Sequence, residues 1–88
     1  MTTSILPTPD VLTVYGARWC SDCRHTQRYL DSVGVAYQYI DLETDDVAQG
    51  LLDAAGYQSI PVVVTTTGRV LLEPTGRQLA DAIDITPT

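Results

Sequence analysis

A β-branched, nearly continuous apolar run from Val11 to Tyr15 ends at Gly16, and a helical pattern and a second strand-like run follow it. Such a run is what a strand buried on both faces requires. From about Ser21 to Val33, the residues Thr26, Leu30 and Val33 recur at helical spacing, with Arg24, Arg28 and Asp31 between them and Gly34 closing the pattern. Val35 to Asp41 is then rich in aromatic and β-branched residues. Strands joined through a helix do not make a hairpin; they run parallel through a crossover, which is right-handed by strong preference. That β-α-β unit restricts the chain to layered α/β folds.

The rest of the pattern completes the architecture. Thr44 is placed to cap a helix with Asp45 and Asp46 in its first turn, an apolar face of Val47, Leu51, Leu52 and Ala55, and Gly56 at its end. Pro61 to Thr66 and Arg69 to Leu72 read as strands joined at Thr67-Gly68, a hairpin signal that makes them antiparallel. Thr75 caps a last helix that uses Leu79, Ala82 and Ile83. The predicted order is β-α-β-α-β-β-α, a four-stranded mixed sheet flanked by helices. Pro7 and Pro9 make residues 1–10 a loose lead-in, so the fold starts at Val11 and residues 11–88 form one domain, the most that 88 residues can build.

Eleven acidic residues stand against five arginines and no lysine, a net charge of -6. That sign opposes phosphate backbones and anionic lipid, so neither nucleic acid nor membrane is an expected partner. No stretch approaches the roughly 20 apolar residues of a membrane helix, and the N-terminus lacks the basic start and apolar core of a secretory signal. A cytoplasmic monomer is expected.

Cys20 and Cys23 are three residues apart, too close for a bridge between them to add much stability by closing a loop. In a reducing compartment, such a pair reads as reversible redox chemistry or as half of a metal site. Zinc asks for four ligands and only His25 remains as an imidazole donor, so no metal is expected. Cys20 falls where the first strand gives way to the first helix. Its sulfur can therefore face the unpaired N–H groups and the positive end of that helix, which stabilises a thiolate. Cys23, one turn inside the helix, is placed to attack a mixed disulfide on Cys20. Within residues 18–28, Arg18, Arg24 and Arg28 stand against Asp22 alone, which predicts a positive patch around the thiols. Asp22 works against the thiolate if its carboxylate points at the sulfur.

The segment Val14-Tyr15-Gly16-Ala17-Arg18-Trp19-Cys20-Ser21-Asp22-Cys23, with Ser59-Ile60-Pro61 about 40 residues on and the element order above, resembles the glutaredoxin branch of the thioredoxin superfamily. The resemblance runs roughly from Val11 to Ile85. It implies a thiol–disulfide oxidoreductase in which Cys20 attacks and Cys23 or an external thiol resolves. It also implies that Pro61 is cis and that the backbone at Ile60 and Pro61 pairs with the bound thiol or substrate.

Glutathione-using members of the family carry a lysine three positions before the first cysteine, a Pro-Tyr-type pair between the cysteines and a Gly-Gly-x-x-Asp motif after the fourth strand. This chain has Ala17, Ser21-Asp22 and Leu72-Glu73-Pro74-Thr75-Gly76 at the matching places. Arg18 is the nearest substitute for the lysine charge, and the N–H groups at Thr75 and Gly76 are the remaining receivers for a carboxylate. The lysine-free Trp-Cys-x-x-Cys form is similar to mycoredoxins, so mycothiol rather than glutathione is the expected co-substrate, with no tightly bound cofactor. Redoxins reduced directly by thioredoxin reductase share the fold and are the runner-up, although this chain lacks their Trp-Ser-Gly-Phe-type segment. Expected substrates are disulfide-containing proteins and small-thiol mixed disulfides.

Two readings of another class stay open: a carrier that bridges an iron–sulfur cluster between subunits, and a binding module that makes contacts without turnover. Trp19 either packs on the sheet edge or forms an apolar rim where substrate docks. Tyr15, Tyr37 and Tyr39 read as core and sheet surface, and His25 as a solvated polar residue. The acidic cluster Asp41, Glu43, Asp45, Asp46 and Asp53 reads as a solvated face with helix-capping duty.

Overall fold

The computed structural model of the chain describes residues 6–83, so the outer parts of the expected lead-in and domain, 1–5 and 84–88, lie outside it. The elements follow the expected order: β1 (Thr13–Gly16), α1 (Ser21–Ser32), β2 (Gln38–Asp41), α2 (Asp46–Ala55), β3 (Val62–Val64), β4 (Val70–Leu72) and α3 (Gly76–Ala82). They build one sheet in the order β2-β1-β3-β4. β1 runs parallel to β2, with Thr13 opposite Gln38 and Gly16 opposite Asp41. β3 is antiparallel both to β1 and to β4.

Alternation along the two central strands divides the interior into two cores. Val14 and Val63 point to one face, where they meet Leu12, Leu30 of α1 and Leu79 of α3. Tyr15, Val62 and Val64 point to the other, where they meet Leu42 and, from α2, Ala48 and Leu52. Side chains that alternate across a pleat need apolar partners on both sides, so the sheet is covered by α1 and α3 on one face and α2 on the other. This leaves the C-terminal end of β1 open at the edge where α1 begins. Among the described residues no helix is long and apolar enough to cross a membrane.

Several boundaries differ from the sequence expectation. The cap of α2 is Asp45, whose carboxylate accepts the Ala48 N–H at 2.9 Å, while the Thr44 hydroxyl donates to the Asp41 carbonyl. Successive helix residues point about 100° apart, and the packed face of α2 runs through Ala48 and Leu52 with Leu51 partly buried beside them, while Val47 is 75% exposed. The first two strands are shorter than their apolar runs, because Val11 and Leu12 lead into β1 and Val35 to Tyr37 lead into β2. Leu6, within the segment expected to be loose, is 6% exposed and packs in the α2-side core, so the described chain joins the fold before Val11. Thr75 caps α3 as expected, in a capping box with Gln78.

Truncating Val47 distinguishes the expected face of α2 from the observed one, with Leu52, which both bury, as the reference. Leu52→Ala is expected to cost about 2–5 kcal/mol in denaturant unfolding, as for a fully buried leucine. Val47→Ala is expected to stay within about 0.5 kcal/mol of the parent.

Candidate active site

Gly16 ends β1, and a four-residue turn brings Cys20 to the N-cap of α1. The cap is made by sulfur: Cys20 Sγ accepts the Cys23 N–H at 3.2 Å. A side chain at this position takes up one of the N–H groups that a helix start leaves unpaired, and a thiolate accepts such a bond better than a thiol. As a thiol, Cys20 has the Ile60 carbonyl 3.9 Å from its sulfur as an acceptor. Both cysteines are free. They differ in access, since Cys20 retains 8% exposure and Cys23 none. Burial, reinforced by the Cys20 side chain, pushes the Cys23 thiol up to about 12, which favours its protonated form. One sulfur is therefore reachable and capped by a backbone amide, and the other is held behind it as a thiol.

Of the positive patch expected from residues 18–28, Arg18 meets acidic groups in the folded chain while Arg28 stays exposed on α1. The side chain of Arg18 is 85% exposed and its Nε lies 3.9 Å from an Asp41 carboxylate oxygen, while the Arg18 N–H donates to Glu43 Oε1 at 3.3 Å. Asp41 arrives there because β1 and β2 are parallel and Gly16 stands opposite it in the register. Arg24 turns back to donate from Nη1 to the Arg18 carbonyl. That arginine is spent on stiffening the loop before Cys20.

Ile60 packs against Ala17, Cys20 and Cys23, and the Ile60-Pro61 peptide is cis. The Pro61 carbonyl accepts the Glu73 N–H at 2.9 Å, so the loop leading to α3 is tied to the proline. Glu73 adopts a φ of 46° to make that turn, a conformation non-glycine residues rarely take. Trp19 is 70% exposed. It does not pack on the sheet edge; with Ala17, Leu42, Tyr57 and Ile60 it lines a groove of about 480 Å³ that also has Glu43 and Asp53 on its wall.

Thr75 and Gly76 lie elsewhere, in a cleft of about 290 Å³ between α1 and α3 that Cys20 does not line. Of the amides expected to receive a carboxylate there, Thr75 N–H is engaged, donating to Gln78 Oε1 at 2.8 Å, and the nearby Gln78 N–H donates to Thr75 Oγ1 at 3.1 Å. Asp22 and Glu73 both line this cleft, with His25 as the basic side chain. Ile60 and Pro61 are thus gathered at the thiols, Trp19 and Arg18 flank them, and Thr75 and Gly76 face the adjoining cleft. Among the described residues, no group of three or more His, Cys, Asp or Glu side chains is placed to hold a metal ion.

Tyr39 is a site neighbour that sequence reasoning assigned to core and sheet surface. Its hydroxyl is buried without a hydrogen-bond partner and is raised to about 12 by burial and by the neighbouring Cys23, Asp41 and Cys20. A glycine closing a strand just before the cysteines was the available signal, because glycine in a strand often marks close approach by another group.

An open four-stranded sheet with a reachable sulfur at a helix start and a second sulfur buried one turn behind is the architecture of a thioredoxin-fold protein, and the paired sulfurs support a thiol redox role. The chain belongs to the glutaredoxin family: the Glutaredoxin family model matches residues 12–70. A protein of Mycobacterium phage D29, the Gene 56 protein, is 34% identical over 55 residues, a match that spans 61% of this chain and 61% of that protein. Among solved structures, the thioredoxin-like protein BC3987 is 27% identical with a TM-score of 0.70, covering 82% of this chain and 99% of that one. The glutaredoxin-like NrdH-redoxin of Escherichia coli superposes with a TM-score of 0.74 over 88% of this chain and 96% of its own at 21% identity, a likeness of fold.

Thiol access and alkaline behaviour test this geometry. Iodoacetamide at pH 7 is expected to label Cys20 and leave Cys23 unmodified in the folded protein, read by peptide mass mapping; equal labelling would contradict the buried placement. The folded state holds the Cys23 proton to about 12, against an ordinary value of 9.0. Between those values the native state binds more protons than the unfolded chain, so stability is undiminished below about pH 9 and falls as pH rises through that window. Cys23→Ser is expected to flatten the fall in urea titrations taken at increasing pH.

Proposed function

We propose that the protein is a mycoredoxin-like thiol–disulfide oxidoreductase that draws electrons from mycothiol. Cys20 thiolate attacks a substrate disulfide and forms a mixed disulfide, which Cys23 resolves for protein substrates and a second small thiol resolves for small-thiol adducts. The observation that carries the redox reading is the amide-capped Cys20 sulfur in front of a fully buried Cys23. The choice of thiol rests on the cleft beside α3. Glutathione is a dicarboxylate, and here it would meet Asp22 and Glu73, with two of the local amides already engaged; like charges in a cleft disfavour each other. Mycothiol is a neutral polyol thiol whose hydroxyls accept from His25 and donate to carboxylates without that repulsion. A similar protein carried by a mycobacterial phage fits an actinobacterial thiol pool. The groove at Trp19 offers an apolar landing for the polypeptide around a substrate disulfide. The reaction is proposed for a cytoplasmic monomer without a resident cofactor.

The test is NADPH consumption with a mycothiol mixed disulfide, supplied with mycothiol and its reductase, with glutathione and its reductase, or with thioredoxin reductase alone. Turnover through mycothiol that survives Cys23→Ser, at least about tenfold above the glutathione arm, is expected. Turnover only through thioredoxin reductase, abolished by Cys23→Ser, would instead make the protein a dithiol redoxin. Inactivity in every arm together with a coloured, cluster-containing dimer after anaerobic purification would point to an iron–sulfur carrier. Unchanged partner capture by an inactive Cys20→Ser protein would point to a binding module.

A further inference from the structure

Gly16 closes β1 directly beneath the cysteine turn, and two polar groups converge over it. A Cβ built on Gly16 would stand 2.6 Å from the Tyr39 hydroxyl and 2.7 Å from Cys23 Sγ, so the two atoms crowd the same small space. The Tyr39 hydroxyl is shut off from solvent without a hydrogen-bond partner among the described residues. A buried phenol left unpaired costs of the order of 1–3 kcal/mol, and an acceptor that appears only during the reaction would repay it. The one group beside it that changes from thiol to thiolate in a disulfide exchange and that has no solvent to stabilise it is Cys23.

We infer that Tyr39 is a positioning residue for the resolving step: its hydroxyl donates a hydrogen bond to the Cys23 thiolate across Gly16 as that thiolate forms. The inference rests on the thiol–disulfide reading above and adds a role for a residue on β2. Cys20 thiolate first displaces one half of the substrate disulfide, forming a Cys20–substrate bond and releasing a thiolate. Cys23 then gives up its proton and attacks Cys20 Sγ. The Cys20–Cys23 bond forms, the bond from Cys20 to substrate breaks, and the departing substrate thiolate takes up the proton. Two electrons pass from the dithiol to the substrate. Tyr39 keeps its own proton throughout; it shares it with the Cys23 sulfur and so lowers the cost of the buried negative charge. The other groups that face this pair are Cys20 at the start of α1, Asp41 on β2, and Arg18 and Arg24 at the mouth of the space that Tyr39 lines with them. Asp41 opposes negative charge there, which makes a neutral donor at Tyr39 the more useful.

The reduced protein is mixed with the aromatic disulfide dithiobis(nitrobenzoate) in single-turnover experiments across pH. Attack by Cys20 releases one coloured thiolate and resolution by Cys23 releases the second, so the two steps are read separately. Tyr39→Phe, which keeps the ring and removes the hydroxyl, is expected to slow the second release about tenfold near neutral pH and to move its pH profile upward, with the first release unchanged. Gly16→Ala, whose Cβ would wedge the hydroxyl from the sulfur, is expected to reproduce the upward move. In a Cys23→Ser background, Tyr39→Phe is expected to change nothing. An unaltered second release in Tyr39→Phe would overturn the inference, as would equal slowing of both releases. A parent protein that releases one equivalent only would overturn the dithiol reading itself, an outcome distinct from either.

Discussion

The site depends on a hydrogen bond from the Cys23 amide to Cys20 Sγ at 3.2 Å. Helix N-caps are ordinarily oxygen atoms of Ser, Thr, Asp or Asn, and sulfur is a poorer acceptor until it is ionised. With Cys20 as the cap, the start of α1 and the state of the nucleophile become the same variable. The helix is best terminated when the sulfur is a thiolate, and the thiolate is best stabilised when the helix is formed. Everything that places α1 against the sheet, Leu30 in one core above all, therefore also places the reacting atom. Cys23 follows from the same geometry, because one helical turn carries it inward to full burial beneath Cys20.

Electrostatics here is decided by folding rather than by local sequence. Three arginines around the cysteines suggest a positive patch, yet the parallel pairing of β1 with β2 brings Asp41 and Glu43 to Arg18, and Arg24 is turned onto the loop backbone. On the other side, Asp22 and Glu73 come from α1 and from the turn after β4 into one cleft. The surroundings of the thiols thus carry more balance and more acidity than residues 18–28 alone imply. That bears directly on which small thiol can approach.

Much of this was legible in the chain. The apolar runs at Val11–Tyr15 and Pro61–Thr66, the Thr67-Gly68 turn and the Thr75 cap gave the element order and the mixed sheet. The Cys20–Cys23 spacing after a strand, with Ile60-Pro61 downstream, marked the centre of the site. The structure departs from the pattern where neighbouring residues compete for one position. At α2 both Thr44 and Asp45 are competent caps, and Val47 and Ala48 lie about 100° apart around the helix, so which of them enters the core is set by how α2 packs on the sheet, and it is Ala48. Leu6 was hidden because prolines nearby say nothing about whether a single apolar side chain finds a pocket. Trp19 had two readings that differ only in which way a side chain leaves a loop, and the structure turns it outward.

Periodicity and residue chemistry by themselves determined the α/β layering, the identity of the nucleophile and its partner, and the polarity of the helix that supports them, because these depend on neighbours along the chain. Only the tertiary structure decided that Tyr39 and Cys23 meet above Gly16, that Asp41 and Glu43 come up beside Arg18, and that Thr75 and Gly76 open on an acidic cleft. Each of those joins residues from separate elements. Their meeting is set by strand register and by the packing of helices on the two faces of the sheet, and a pattern of residue types along the chain leaves the resulting distances open.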